Sequence, residues 1–388
     1  MFQLKQLAGV TLAALLGAGT LGAAQAEAQQ LRYAMGFPPG SDSDVAAKKY
    51  AETLSELTNG ELSVRVFALS LLNFAETPSG VRDGIADIGY VLTPYFPQQF
   101  PHMNLAAEAS MALHLQDESV KGREGYAYVG AMAEFVLLNC PECQDEMKQQ
   151  NQVMTSNAGS TQYGLTCTKK VTTVEDLRGT RLRVAGSHWS RWAQEFGASP
   201  VTLSSNEAAE ALSQGVVDCV VISAPELTNL GLFEHVSDIT MAIPGGIFAG
   251  TATANVNRET WQGLSEEHRT AMLKAGSVLA AEIPFIYHSR EAAVLQRIQD
   301  EQGAKLHEPS PELMAGVVAF VEKDLNDMAD YYQKERGVER SHEMMEQFLQ
   351  ILARWVDLVQ DVETAEDLSD LYWQEVYSKV DVNTHGMN

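Results

Sequence analysis

Short runs of alternating apolar and polar residues take turns with longer stretches whose apolar residues recur every three or four positions. This exchange organises most of the chain. "QLRYAMGF" (30–37) has the two-residue period of a strand. "PPGSDSDVAAKKYAETLSELTNG" (38–60) supplies a turn, an N-cap and a helix closed by Asn59-Gly60, and "ELSVRVFA" (61–68) returns to strand. The alternation runs on through about two hundred further residues, which predicts α/β lobes with parallel sheets. One segment pair repeats: "VRDGIADIGYV" (81–91) resembles "LSQGVVDCVVI" (212–222), each a helix end, a glycine, then a strand with Asp at its third residue. Gly84 and Gly215 fit the left-handed C-cap such a switch requires, so two lobes built on one plan are expected. From Pro311 to Val359 the pattern turns helical, with Met345, Phe348, Leu349, Leu352, Trp355, Val356 and Val359 three and four apart. That face is expected to pack on the protein's own lobes, with a dimer contact as the alternative.

The first 26 residues differ in kind. Lys5 precedes an uncharged run from Leu7 to Ala26 that ends Ala24-Gln25-Ala26, the pattern of a cleaved secretory signal peptide. Gly17-Ala18-Gly19-Thr20-Leu21-Gly22 matches G-x-G-x-x-G by letter but has no strand before it, so it is set aside as a dinucleotide site. The remaining chain of about 360 residues is more than one hydrophobic core usually serves, and two domains are expected. With 51 acidic against 27 basic residues the formal charge is −24, which disfavours nucleic acid or an anionic membrane as partner. An exported chain favours disulfides. "NCPECQDE" could be redox-active, half a zinc site or a small disulfide loop, and the absence of a second C-x-x-C or a nearby His argues against zinc. Pairing Cys140 with Cys143 and Cys167 with Cys219 is preferred over the other two connectivities.

Enzyme chemistry finds little support. "SHEMMEQ" begins like H-E-x-x-H, but Glu346 stands where the second imidazole must be, and neither a G-x-S-x-G elbow nor a phosphate-binding G-x-x-x-x-G-K-[ST] loop is present. No metal or cofactor is implied. "EDLRGTRLRVAG" (175–186) carries more. As a strand over Thr180–Ala185 it turns Arg181 and Arg183 to one face. Solvated arginines on an edge strand suit Arg181. Arg183 lies at the C-terminal end of the strand, where open α/β sheets form ligand crevices, and a guanidinium there can hold a carboxylate through two parallel hydrogen bonds. On the residues alone, clamp and solvated arginine both remain open for it.

The order of motifs adds a further argument. The signal peptide, "LRYAMGFPPGSDSD", "AETLSELTNGELSVRVFA", "GVRDGIADIGYV", "VEDLRGTRLRVAG", "EFGASPVTLSSNEAAEALSQGVVDC" and "ANVNRETWQGLSEEHR" together resemble the extracytoplasmic solute-binding subunits of TRAP transporters, from about residue 30 to 305. The resemblance implies an α/β, two-lobed periplasmic-binding-protein-like fold with mostly parallel or mixed sheets, hinge strands and long C-terminal helices, the tail being longer than the family usually carries. It implies lobe I at 27–160 plus 249–287, and lobe II at 161–248 plus 288–388. It implies a periplasmic, non-catalytic protein that binds a small organic acid and passes it to TRAP membrane subunits; a secreted enzyme or a ligand-presenting sensor subunit is the alternative. The family's carboxylate-binding arginine falls on Arg183, and Arg181 receives no ligand role. Positions that hold polar anchors in sialic-acid-type members fall on Tyr163 and Ile222, a pocket aromatic on Ser205, and a first-lobe carboxylate on Leu92. With Phe37 and Trp189 nearby and backbone donors expected around Gly186 and Ser187, these departures imply a compact acid with an apolar or aromatic body.

Overall fold

A computed structural model describes residues 28–387. The segment read as a signal peptide and the glycine pattern within it lie outside the described residues. The strands are β1 (Gln29–Met35), β2 (Leu62–Ala68), β3 (Ile88–Leu92), β4 (Gln152–Met154), β5 (Gly164–Cys167), β6 (Arg181–Val184), β7 (Ser199–Thr202), β8 (Cys219–Ile222), β9 (Asp238–Thr240), β10 (Thr251–Asn257) and β11 (Lys305–His307). They form two sheets, of order β2-β1-β3-β10-β4 and β11-β9-β5-β8-β6-β7. In each sheet three strands are parallel and the next one inward runs antiparallel, β10 beside β3 and β5 beside β8. The sheets are therefore mixed, because the chain crosses between them before each is complete. It crosses after β4, again between β9 and β10, and finally along the helix Glu266–Gln302, which leads to β11.

The local signals act where the sequence places them. Ser41 caps the helix Asp42–Leu57, its hydroxyl accepting from the Asp44 N–H, and Asn59 and Gly60 both take positive φ beyond its end. The β1–β2–β3 unit and the β6–β7–β8 unit share one register: Tyr33 lies opposite Ile88 as Leu182 lies opposite Cys219. Gly84 and Gly215 adopt φ of 73° and 67°. An arginine closes each unit. Arg32 donates from Nε and Nη2 to Asp87 at 2.9 and 3.0 Å, and from Nη2 to the Gly84 carbonyl at 2.9 Å. Arg181 does the same to Asp218 at 3.2 and 2.7 Å, and its Nη1 reaches the Gly215 carbonyl at 2.7 Å. The expectation of an edge strand for Arg181 is corrected here: β6 lies between β7 and β8, and Arg181 is exposed because it sits at the strand's starting end.

Both expected disulfides are present, Cys140–Cys143 beside the start of the helix Pro141–Gln149 and Cys167–Cys219 across β5 and β8. The apolar stripe of the tail is buried, apart from half-buried Leu349. The helix Pro311–Arg336 meets the second-sheet side, where Asp324 holds Arg191. The helix Ser341–Leu358 and the residues after it lean on first-sheet elements: Phe348 packs on Tyr128 and Phe135, Tyr372 donates to the Tyr126 carbonyl, and Trp261 donates to the His385 carbonyl. No helix among the described residues is long and apolar enough to cross a membrane.

Candidate ligand site in the cleft between the sheets

The strand ends of the two sheets face each other across a cleft that holds a small cavity. Phe37 follows β1, Tyr95 follows β3, Ser205 follows β7 and Glu226 follows β8, so the crevice forms outside the carboxyl ends of parallel strands, as open α/β sheets favour. Of the residues singled out from sequence, Phe37, Leu92, Tyr163, Ser205 and Ile222 line it. Trp189 lies behind the lining, stacked on Tyr163 with ring centroids 4.5 Å apart, its indole N–H donated to the Gly245 carbonyl. Ser187 is not in the lining; the first turn of its helix aims its hydroxyl at Glu108, and Arg191 donates to that hydroxyl at 3.2 Å.

Arg183 is wholly buried, whereas Arg181, two residues earlier on the same strand face, is exposed. The difference is depth, since the strand runs from the outer end of the sheet towards the cleft. The Arg183 Nε and Nη2 donate to the Leu203 carbonyl at 3.0 and 2.8 Å, and Nη2 also donates to the Tyr95 hydroxyl at 2.9 Å. Nη1 has no partner among the described residues. A buried guanidinium held by neutral oxygens, with one amino group unused, is in an unfavourable setting that an anion relieves. Tyr95 also accepts from the Ser205 N–H at 3.0 Å, so one hydroxyl from the first-sheet side ties down two groups of the second.

Sequence reasoning missed the other charged group. Glu226 lines the cavity, buried, and its Oε1 accepts from the Tyr287 hydroxyl at 2.6 Å while Oε2 has no partner among the described residues. Burial pushes its pKa up to about 7; the hydrogen bond from Tyr287, the nearby Asn229 amide and the Arg183 charge oppose the rise, and Asp42 adds to it. Its position after β8 obeys the strand-end rule that singled out Arg183, and that rule is the signal that could have found it.

Side chains also bridge the cleft at its rims. Asn229 exchanges two hydrogen bonds with Asp42, at 3.2 and 3.1 Å, and Arg290 pairs with the same carboxylate. On another side Arg191, steadied on its own side by a fork onto Asp324 at 2.6 and 2.8 Å, reaches across to Glu108 at 3.3 Å. The cleft is closed in this arrangement. Among the described residues no group of three or more His, Cys, Asp or Glu side chains could hold a metal ion.

Two sheets meeting over a closed cleft, with a buried cation at one strand end, define a solute-binding protein. Residues 33–334 match bacterial extracellular solute-binding protein family 7, and the chain belongs to that family, the TRAP solute-binding proteins. These are binding proteins and not enzymes. Residues 335–388, which include the whole leaning tail, lie beyond the match. The sialic acid-binding periplasmic protein SiaP of Vibrio cholerae is 23% identical over 291 residues, 70% of this chain and 80% of that one. Two solved structures have the same fold. A TRAP periplasmic solute-binding protein of Bordetella bronchiseptica with bound mandelate has a TM-score of 0.69 and 19% identity, covering 85% of this chain and 99% of its own. A marine metagenome TRAP solute-binding protein specific for pyroglutamate has a TM-score of 0.67 and 17% identity, covering 84% and 99%.

Proposed function

We propose that the cavity binds a compact organic acid with its carboxylate on Arg183, and that the protein works in the periplasm, closing on the acid and delivering it to TRAP membrane subunits. The observation that carries this reading is the fully buried Arg183 with Nη1 unpartnered beside an aromatic-lined cavity. An acid that reaches Nη1 and takes the place of the Tyr95 hydroxyl on Nη2 gains the planar two-bond fork of a guanidinium–carboxylate pair. Phe37, Phe248 and Tyr163 offer flat apolar surface to the body of the acid, and Leu92 and Ile222 add no polar anchor for a sugar acid. Mandelate and pyroglutamate, bound by proteins of this fold, are acids of that compact kind.

The two moving parts are then 28–160 with 249–287, and 161–248 with 288–340. The tail from 341 rides on the first part, because its buried aromatic contacts are there. The rim bonds Asp42–Asn229 and Arg191–Glu108 hold the closed form. A thermal-melting screen of small organic acids tests the reading. A compact monocarboxylate that raises the melting temperature in a concentration-dependent way is expected. Stabilisation by sugar acids alone, or by no carboxylate in a broad panel, contradicts it.

A further inference from the structure

Two unsatisfied groups of opposite character lie at the cleft, Glu226 in the cavity lining and Arg183 behind it, bonded to the lining residue Tyr95. Arg183 Nη1 is a donor without an acceptor, and Glu226 Oε2 is an oxygen without a donor; both are buried. An acid held only by its carboxylate answers the first and leaves the second in place. It also brings negative charge towards a carboxyl group that burial already disfavours in its charged form.

We propose that Glu226 is a second ligand-contacting residue that sets specificity, its Oε2 accepting a hydrogen bond from a hydroxyl or N–H group on the acid. The ligand class is thereby a compact carboxylic acid bearing a donor, such as a hydroxy acid or a cyclic amide acid. This rests on the reading of Arg183 as the carboxylate site. Tyr287 is the positioning residue: its hydroxyl occupies Oε1 and so leaves Oε2 as the free acceptor. The surroundings favour an accepting role once Glu226 is charged. Arg183 lies within electrostatic reach, Tyr90 and Tyr163 face the same cavity, and Asp42, the acid whose charge is felt there, is engaged by Arg290 and Asn229. A ligand acceptor placed against charged Glu226 meets repulsion, while a ligand donor supplies the missing bond.

The test is calorimetric titration at pH 8 with three acids on one frame: mandelate, which carries a donor; phenylglyoxylate, which carries only an acceptor there; and phenylacetate, which carries neither. Pyroglutamate and cyclopentanecarboxylate form a second pair. The donor-bearing member of each set is expected to bind about tenfold tighter or better than its partners. Glu226→Leu should bring mandelate and phenylacetate to within about twofold of each other. Glu226→Gln, which keeps an acceptor and adds a donor, should raise phenylglyoxylate towards mandelate; it guards against a leucine variant that does not fold. Equal binding of donor-bearing and donor-free acids to the native protein, or preference for phenylglyoxylate, overturns the proposal and leaves the carboxylate reading standing. Failure of all five acids to bind overturns both.

Discussion

The β1–β2–β3 and β6–β7–β8 units are the same device used twice. Each has a left-handed glycine, an aspartate three residues later and an arginine that forks onto both. Two residues beyond that arginine the copies part. The first-sheet copy has Ala34, packed with Leu72, Val81 and Ala86, and the second has Arg183, buried at the cleft. Glu226 also comes from the second-sheet side, while Phe37, Tyr90, Leu92 and Tyr95 of the first give rings and apolar surface. One plan thus serves as scaffold on both sides, with the charge chemistry concentrated on one. The two arginines of "RLR" divide along this line, Arg181 bonded into the scaffold and Arg183 buried at the inner end of the strand.

Removing the charge that separates the copies should have the largest effect. Arg183→Ala is expected to weaken binding of a stabilising acid by about a hundredfold or more, abolishing the melting shift, because a buried charged hydrogen-bond partner is lost. Melting curves with and without the acid read this directly.

Glu226→Gln comes next. The carboxyl is raised from 4.5 to about 7 mainly by burial. A raised folded value means that its favourable contribution is full below about pH 4.5 and is lost as pH rises through 7. Relative to the glutamine variant, the ligand-free native protein should therefore lose up to about 3 kcal/mol between pH 4.5 and 8, measured by denaturant unfolding. A constant difference across that range means that Glu226 does not titrate there.

Breaking the shared device should cost similar amounts on both sides. Asp87→Ala and Asp218→Ala each remove a forked, partly exposed ion pair and a backbone N–H acceptor, at 2.8 Å in both copies. Each should destabilise by about 1–2 kcal/mol with little change in acid affinity. Gly84→Ala and Gly215→Ala are milder still. An added Cβ meets nothing at either position, so only the positive φ is strained, and about 1 kcal/mol each is expected in unfolding experiments.

Much of this was legible along the chain. Two-residue alternation marked β1 and β2, the Gly–Asp repeat marked the paired units, and strand-end placement with the motif order singled out Arg183. The rest depended on distance. Glu226 stands in "SAPELTN" as one acid among 51 acidic residues, and Tyr287 reads as one face of a long helix. Only the fold brings them within 2.6 Å. Tyr95 was hidden likewise, its partners Arg183 and Ser205 lying 88 and 110 residues away. The tie of the Ser187 hydroxyl to Glu108, 79 residues away, was hidden in the same way. The tail's stripe promised burial without saying against what.

The most direct test of the central claim is a calorimetric titration of Arg183→Lys beside Arg181→Lys, using the best acid from the melting screen. A lysine keeps the charge and loses the planar fork. Arg183→Lys should bind at least about tenfold more weakly, while Arg181→Lys should match the native protein. Unchanged affinity in Arg183→Lys, or an equal loss in both, would contradict the assignment of Arg183 as the carboxylate clamp.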